Sequence, residues 1–187
     1  MEHQGLDRAA RVGMALKERG WRLAVAESCT GGLLGHRLTS VPGSSAYFLG
    51  GVIAYRKEIK VRILNVREET LARFGAISAE AAREMAEGVR RLFGADLALA
   101  ITGVAGPDPE EGKPVGEMHI ALVGPEGIWI HQIRGGLDRQ ENKALAVEAA
   151  LELLEAMLEG RSPQKIPGNP DSMPYPQARE APLEDQL

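Results

Sequence analysis

Ser28 lies in the run Ala26-Glu27-Ser28-Cys29-Thr30-Gly31-Gly32, where a short apolar stretch gives way to glycines. At a strand-to-helix junction the first helical N–H groups lack intrahelical partners and point toward one spot. Glycines there let a substrate approach the backbone closely. A serine so placed can attack a carbonyl carbon while those N–H groups, from Cys29 to Gly32, meet the developing oxyanion. The plainer alternative is that Ser28 or Thr30 caps the helix and Gly31 and Gly32 form a tight turn. Cys29 is a rival nucleophile, since a thiol at a helix start can be activated. His36 in the following helix has no acidic partner fixed by spacing, and a small buried residue is the better account of Cys29.

A serine hydroxyl needs a base. The chain has four histidines, none in a triad-like setting, which leaves a neutral lysine as the substitute. Tyr55-Arg56-Lys57-Glu58-Ile59-Lys60 places two lysines where a second strand becomes a helix. Such a lysine must have its pKa lowered by burial or by neighbouring cations. The alternative is a solvated basic helix face, and composition alone favours it. Ile101-Thr102-Gly103-Val104-Ala105-Gly106-Pro107 is a glycine-rich loop that fits neither the Rossmann nor the P-loop pattern. In Arg134-Gly135-Gly136-Leu137-Asp138-Arg139, Arg139 falls in the first turn of a helix, where it can pair with a phosphate or with a surface acid.

The elements that must position these groups alternate in type. Spacing predicts a helix over Asp7–Arg19, a buried strand over Trp21–Ala26 and a helix over Leu33–Leu38. A second buried strand follows over Tyr47–Tyr55, interrupted by Gly50-Gly51, then helices over Lys57–Leu64 and Glu68–Phe74. Ser78 is a plausible N-cap for a long helix, Ala79–Phe93, closed by Gly94. A third strand over Asp96–Thr102 leads through the loop Asp108–Pro114 to a hairpin of Glu117–Val123 and Ile128–Ile133. Asp138 can cap the last helix, which runs to about Glu159. Together these predict a layered α/β/α domain over residues 1–160 with a mixed, mainly parallel sheet. Six of the eleven prolines lie between Pro163 and Pro182, so 161–187 reads as an irregular tail.

Composition narrows the function classes. The 187 residues are 44% hydrophobic and 26% charged, ordinary for a soluble domain. The net charge of -4 and pI near 5.7 give no global basic field to hold nucleic acid. A single cysteine excludes an intrachain disulfide and a multi-cysteine metal site, and fits a reducing, cytoplasmic setting. No apolar run approaches the roughly 20 residues needed to cross a bilayer.

Taken in order, these segments closely resemble the CinA C-terminal domain family, the nicotinamide-nucleotide amidohydrolases. The matching residues are Ala26 to Gly32, Pro42-Gly43-Ser44-Ser45, Tyr55 followed by Lys60, Gly75-Ala76-Ile77-Ser78, Ile101 to Pro107, and Lys113-Pro114-Val115-Gly116. The resemblance spans roughly Leu6 to Glu159. It implies hydrolysis of nicotinamide mononucleotide to nicotinate mononucleotide and ammonia, with no cofactor and no metal. By position, Ser28 would be the nucleophile, Lys60 its base and Tyr55 an assisting or orienting group. Cys29, Thr30, Gly31, Gly32, Thr102, Gly103 and Gly106 would contact the substrate, with Arg139 near its phosphate. The implied partners are a small nucleotide and a second copy of the chain, a dimer in preference to larger assemblies, with no nucleic acid and no membrane. The family usually has Asn where Lys57 stands. It also reads Gly-Asp-Arg where this chain has Gly136-Leu137-Asp138-Arg139. Many relatives carry the domain behind a molybdopterin-binding-like one, and the stand-alone form is expected here. Two alternatives stay open: a non-catalytic domain linked to competence, and an amidase acting on another nucleotide amide.

Overall fold

The computed structural model describes residues 7–161, so the predicted proline-rich tail lies outside the described residues. Five strands form one sheet in the order β2-β1-β3-β4-β5: β1 (Leu23–Glu27), β2 (Phe48–Ile53), β3 (Leu97–Gly103), β4 (Glu117–Gly124) and β5 (Gly127–Arg134). β1 pairs in parallel with β2 and β3. β3–β4 and β4–β5 are antiparallel. The sheet is therefore evenly mixed, where a mainly parallel one was predicted. The β4–β5 hairpin is antiparallel because its two-residue connection can join only antiparallel neighbours, and the loop between Gly103 and Glu117 turns the chain back so that β4 also runs against β3.

The strands alternate large and small side chains, and this sorts the two faces of the sheet. Leu23, Val25, Leu97, Leu99, Ile101, Met118, Ile120 and Leu122 face one core with helices α1 (Arg8–Arg19), α2 (Leu33–Thr39) and α6 (Arg139–Leu158). Ala24, Ala26, Ala98, Ala100 and Ala121 face the other, against α5 (Ala79–Phe93) and α3 (Lys57–Leu64). Alanines on that face, with Ala82, Met85, Ala86 and Val89 of α5 packed against them, leave room for α5 to lie close to the sheet.

Helix ends fall where their caps dictate. Ser78 accepts from the Ala81 N–H and Gly94 ends α5 in the left-handed region. Asp138 accepts from the Glu141 N–H at the start of α6. Asn65, also left-handed, ends α3, and α4 (Glu68–Phe74) stops at Gly75. α3 lies unusually close to α5 at Gly88, where a built Cβ would sit 1.9 Å from the Leu64 carbonyl oxygen.

The prediction of a buried second strand needs correction. β2 is an edge strand whose residues alternate between half-buried and exposed, and it passes through Gly50-Gly51 unbroken. A single paired neighbour leaves its other side uncovered. The edge matters for the site, because its end delivers Tyr55 to the mouth of a pocket and the buried Ala54 beside Lys60.

Candidate active site

β1 and β3 run side by side in the same direction, so the turns that leave them open on the same end of the sheet. Ser28 follows β1 immediately, and its own N–H donates to the Ile101 carbonyl of β3 at 2.9 Å. α3 then brings Lys60 beneath it. Lys60 Nζ donates to Ser28 Oγ at 2.8 Å and to the Ala54 carbonyl at 2.6 Å. The lysine is 1% exposed. Burial pushes its pKa down to about 8, with Lys57 adding slightly and Cys29, Glu110 and Glu111 opposing. A lysine at that value is still mostly a cation at neutrality, but its neutral fraction is far larger than that of an ordinary lysine and can accept a proton from a hydroxyl.

The alternative of a capping serine is not met. The amides that open α2 are taken by a buried carboxylate: Glu27 accepts from Gly32 N–H at 3.0 Å, Leu34 N–H at 3.0 Å and Gly35 N–H at 2.8 Å. The Gly31 N–H donates to the Ser28 carbonyl. Gly31 and Gly32 thus have no amide to offer an oxyanion, which corrects the breadth of that expectation. Among the described residues, the Cys29 and Thr30 amides make none of the turn's hydrogen bonds. These two remain able to meet negative charge on a carbonyl attacked by Ser28. The Thr30 hydroxyl is fully buried and has no hydrogen-bond partner among the described residues. Cys29 is buried, and burial raises its thiol to about 11, which makes it a poor rival to the serine.

Lys57 and Lys60 part company on the same helix. Lys57 has a half-exposed side chain paired with Glu111. That hydrogen bond raises the Lys57 pKa and holds it as a cation. It is no candidate for the base.

The pocket above Ser28 has a volume of about 360 Å³ and is walled by Tyr55, Thr102, Gly103, Ala105, Gly106 and Arg139, among others. Tyr55 is 57% exposed, and its hydroxyl accepts from Arg139 Nη2 at 2.9 Å. The structure therefore joins Tyr55 to Arg139 at the rim and not to the Ser28–Lys60 pair. Arg139 also donates to the Gly106 carbonyl, and Asn142 Nδ2 to the Ala105 carbonyl at 2.9 Å. No carboxylate pairs with Arg139 among the described residues, so its charge is available to an anion at the pocket mouth. Thr102 Oγ1 is occupied, donating to the Ala76 carbonyl at 2.8 Å. Gly103 has no room for a side chain, since a Cβ would meet Met118 Cγ at 2.5 Å.

Two acids were missed from sequence. Glu27 had a usable signal, an acid ending a buried strand just before helix amides. Glu111, in a loop read only as loop, had none.

With the geometry in hand, the chain matches the CinA C-terminal domain over residues 6–158 and belongs to that family. A CinA-like protein of Frankia casuarinae is 48% identical over 159 residues, which is 85% of this chain and 37% of the relative. The chain spans about a third of the length of the curated relatives it matches. A CinA superfamily protein from Klebsiella pneumoniae has a similar crystal structure, with TM-score 0.80 and 39% identity over 82% of this chain and 96% of that one. A CinA superfamily protein from Escherichia coli superposes at TM-score 0.77 with 30% identity, covering 81% and 88%. No helix among the described residues is long and apolar enough to cross a membrane.

Proposed function

We infer that this protein hydrolyses the carboxamide of nicotinamide mononucleotide to nicotinate mononucleotide and ammonia. The observation that carries this is the 2.8 Å hydrogen bond between Lys60 Nζ and Ser28 Oγ at the floor of an open pocket. Neutral Lys60 takes the Ser28 proton as Oγ attacks the amide carbon. The Cys29 and Thr30 amides stabilise the oxyanion. The Lys60 ammonium then protonates the departing nitrogen, ammonia leaves, and an acyl ester remains on Ser28. A water molecule, deprotonated by Lys60, attacks that ester and releases the carboxylic acid with Ser28 restored. The Ala54 carbonyl holds the lysine in place through both halves of the cycle.

Arg139 supports a substrate that ends in an anion, the role a nucleotide phosphate fills. Tyr55 acts through Arg139, orienting the guanidinium over the pocket. The same chemistry would serve another nucleotide amide of similar length, and substrate choice rests on the wall formed by Thr102 to Gly106. A second copy of the chain and a cytoplasmic setting belong to the same proposal. The deciding experiment is incubation of purified protein with nicotinamide mononucleotide, with ammonia and nicotinate mononucleotide measured together. Folded protein that releases neither would overturn the assignment.

A further inference from the structure

The loop that joins β3 to β4 reaches back over the pocket. Asp108 and Glu110 line it, and paired backbone bonds between Glu110 and Lys113 close the loop on itself at 2.8 and 3.2 Å. At the tip Glu111 has φ 52°, a left-handed conformation that costs a residue with a side chain. Its side chain is only 16% exposed and turns away from solvent. The carboxylate accepts from the Ala76 N–H at 2.8 Å and the Ile77 N–H at 3.2 Å, and it pairs with Lys57. Burial works to raise the Glu111 pKa, but Lys57 and the two amides outweigh it and leave the group ionised. The Ala76 carbonyl accepts in turn from Thr102 Oγ1. A single carboxylate thus ties together α3 one turn before Lys60, the turn before α5, and the end of β3. Each of those segments contributes lining residues to the pocket, while Glu111 itself does not.

We propose that Glu111 is a positioning residue, which sets the substrate-facing wall of the pocket relative to Ser28 by tying the 108–113 loop to Lys57 and to the Ala76 and Ile77 amides. This rests on the assignment of Ser28 and Lys60 as the reacting pair. A strap that served stability alone would lower the melting temperature when cut and leave the kinetic constants in place. A positioning group moves them.

The test compares Glu111→Gln, Glu111→Ala, Lys57→Met and the double variant Lys57→Met/Glu111→Gln, each with thermal unfolding recorded beside kcat and KM for nicotinamide mononucleotide from pH 6 to 10. Glu111→Ala removes every tie and is expected to raise KM about tenfold while kcat on the alkaline plateau falls less than about threefold. Glu111→Gln keeps an acceptor for the two amides and should lose less. The charged and titratable groups facing Lys60 are Cys29 from the turn after β1, Glu110 and Glu111 from the loop, and Lys57 from its own helix. Removing the Glu111 charge should therefore move the Lys60 titration down, removing the Lys57 charge should move it up, and the double variant should return near the starting value. A Glu111→Ala KM within about twofold of the unsubstituted protein overturns the proposal, whatever the melting temperature does. So do shifts of one sign, or none, in the two single variants. If the unsubstituted protein turns over no nicotinamide mononucleotide, the proposed function falls. The positioning role is then decided by following Lys60 directly, through the ¹³C NMR shift of its ε-carbon against pH in the same four variants.

Discussion

Two turns leave neighbouring parallel strands on the same end of the sheet, and they are held in opposite ways. The turn after β1 is fixed from within: Glu27 consumes three helix amides beneath it, Lys60 bonds Ser28, and all three side chains are buried. The turn after β3 is held by Arg139 and Asn142 of another element, α6, and by Glu111 farther along its own loop, which reaches it through Ala76 and Thr102. Reacting groups lie where burial sets both geometry and pKa. Groups facing the substrate lie where contacts from other elements set the geometry, the buried Asn142 and Thr102 among them and the half-exposed Arg139 at the rim. Damage to the first turn is expected in kcat and damage to the second in KM.

The sharpest break is Ser28→Ala, which should lower kcat by at least about 10³-fold with the fold intact, as loss of a covalent nucleophile commonly does. A variant keeping a tenth of the original rate would remove Ser28 from the mechanism. Lys60→Met is expected to cost nearly as much activity yet to stabilise the protein at pH 7. The folded pKa near 8 lies below that of an unfolded lysine, so unfolding takes up a proton between the two values and stability rises as pH climbs through that window. Below it the buried amine must be carried as a cation, and its removal should add roughly 1–3 kcal/mol in urea unfolding. In the unsubstituted protein the proposed activity should show in kcat/KM an acid limb that rises to a midpoint near pH 8.

Glu27→Gln leaves one acceptor oxygen for three amides. It should cost about 2–3 kcal/mol of stability and lower kcat more than it raises KM, because its neighbour is the proposed nucleophile. On the other side of the comparison, Arg139→Met should raise KM for a phosphorylated substrate by roughly 10–100-fold, the worth of a charge-assisted contact, with little change for the unphosphorylated riboside. A large fall in kcat with KM unmoved would erase the contrast between the turns. The smallest effect is expected of Lys57→Asn. Most turnover should remain, and the acid limb should move upward, because a cation that opposes Lys60 protonation has gone and Glu111 is left unbalanced.

Much of this scaffold was legible beforehand, for reasons that differ by element. α3, α4 and α5 begin and end where predicted, because Asn65, Gly75, Ser78 and Gly94 are local devices that act through their own backbone. The hairpin was equally plain, since Pro125-Glu126 between two apolar runs allows few alternatives. β2 was misjudged because strand order is a property of pairing across the sheet, and an apolar run reads alike at the centre and at an edge. At the site, spacing alone left Lys57 and Lys60 on much the same helix face. The family resemblance chose between them, and the structure shows the physical difference, one lysine buried against Ser28 and the other drawn outward by Glu111. Glu111 could not be found by such means, because its reach depends on where a loop folds back.

The close approach at Gly88 has a consequence for anyone who would alter this protein. Helix interiors are the usual place to trade glycine for alanine, a change worth about 1 kcal/mol on propensity alone. Here the added methyl would lie 1.9 Å from the Leu64 oxygen, so α3 would have to ride outward on α5 to admit it. One turn before Leu64 in that short helix, Lys60 lies 2.8 Å from Ser28. A substitution meant to stiffen the scaffold is therefore expected to loosen it, because the helix that has to give way is the one that carries Lys60.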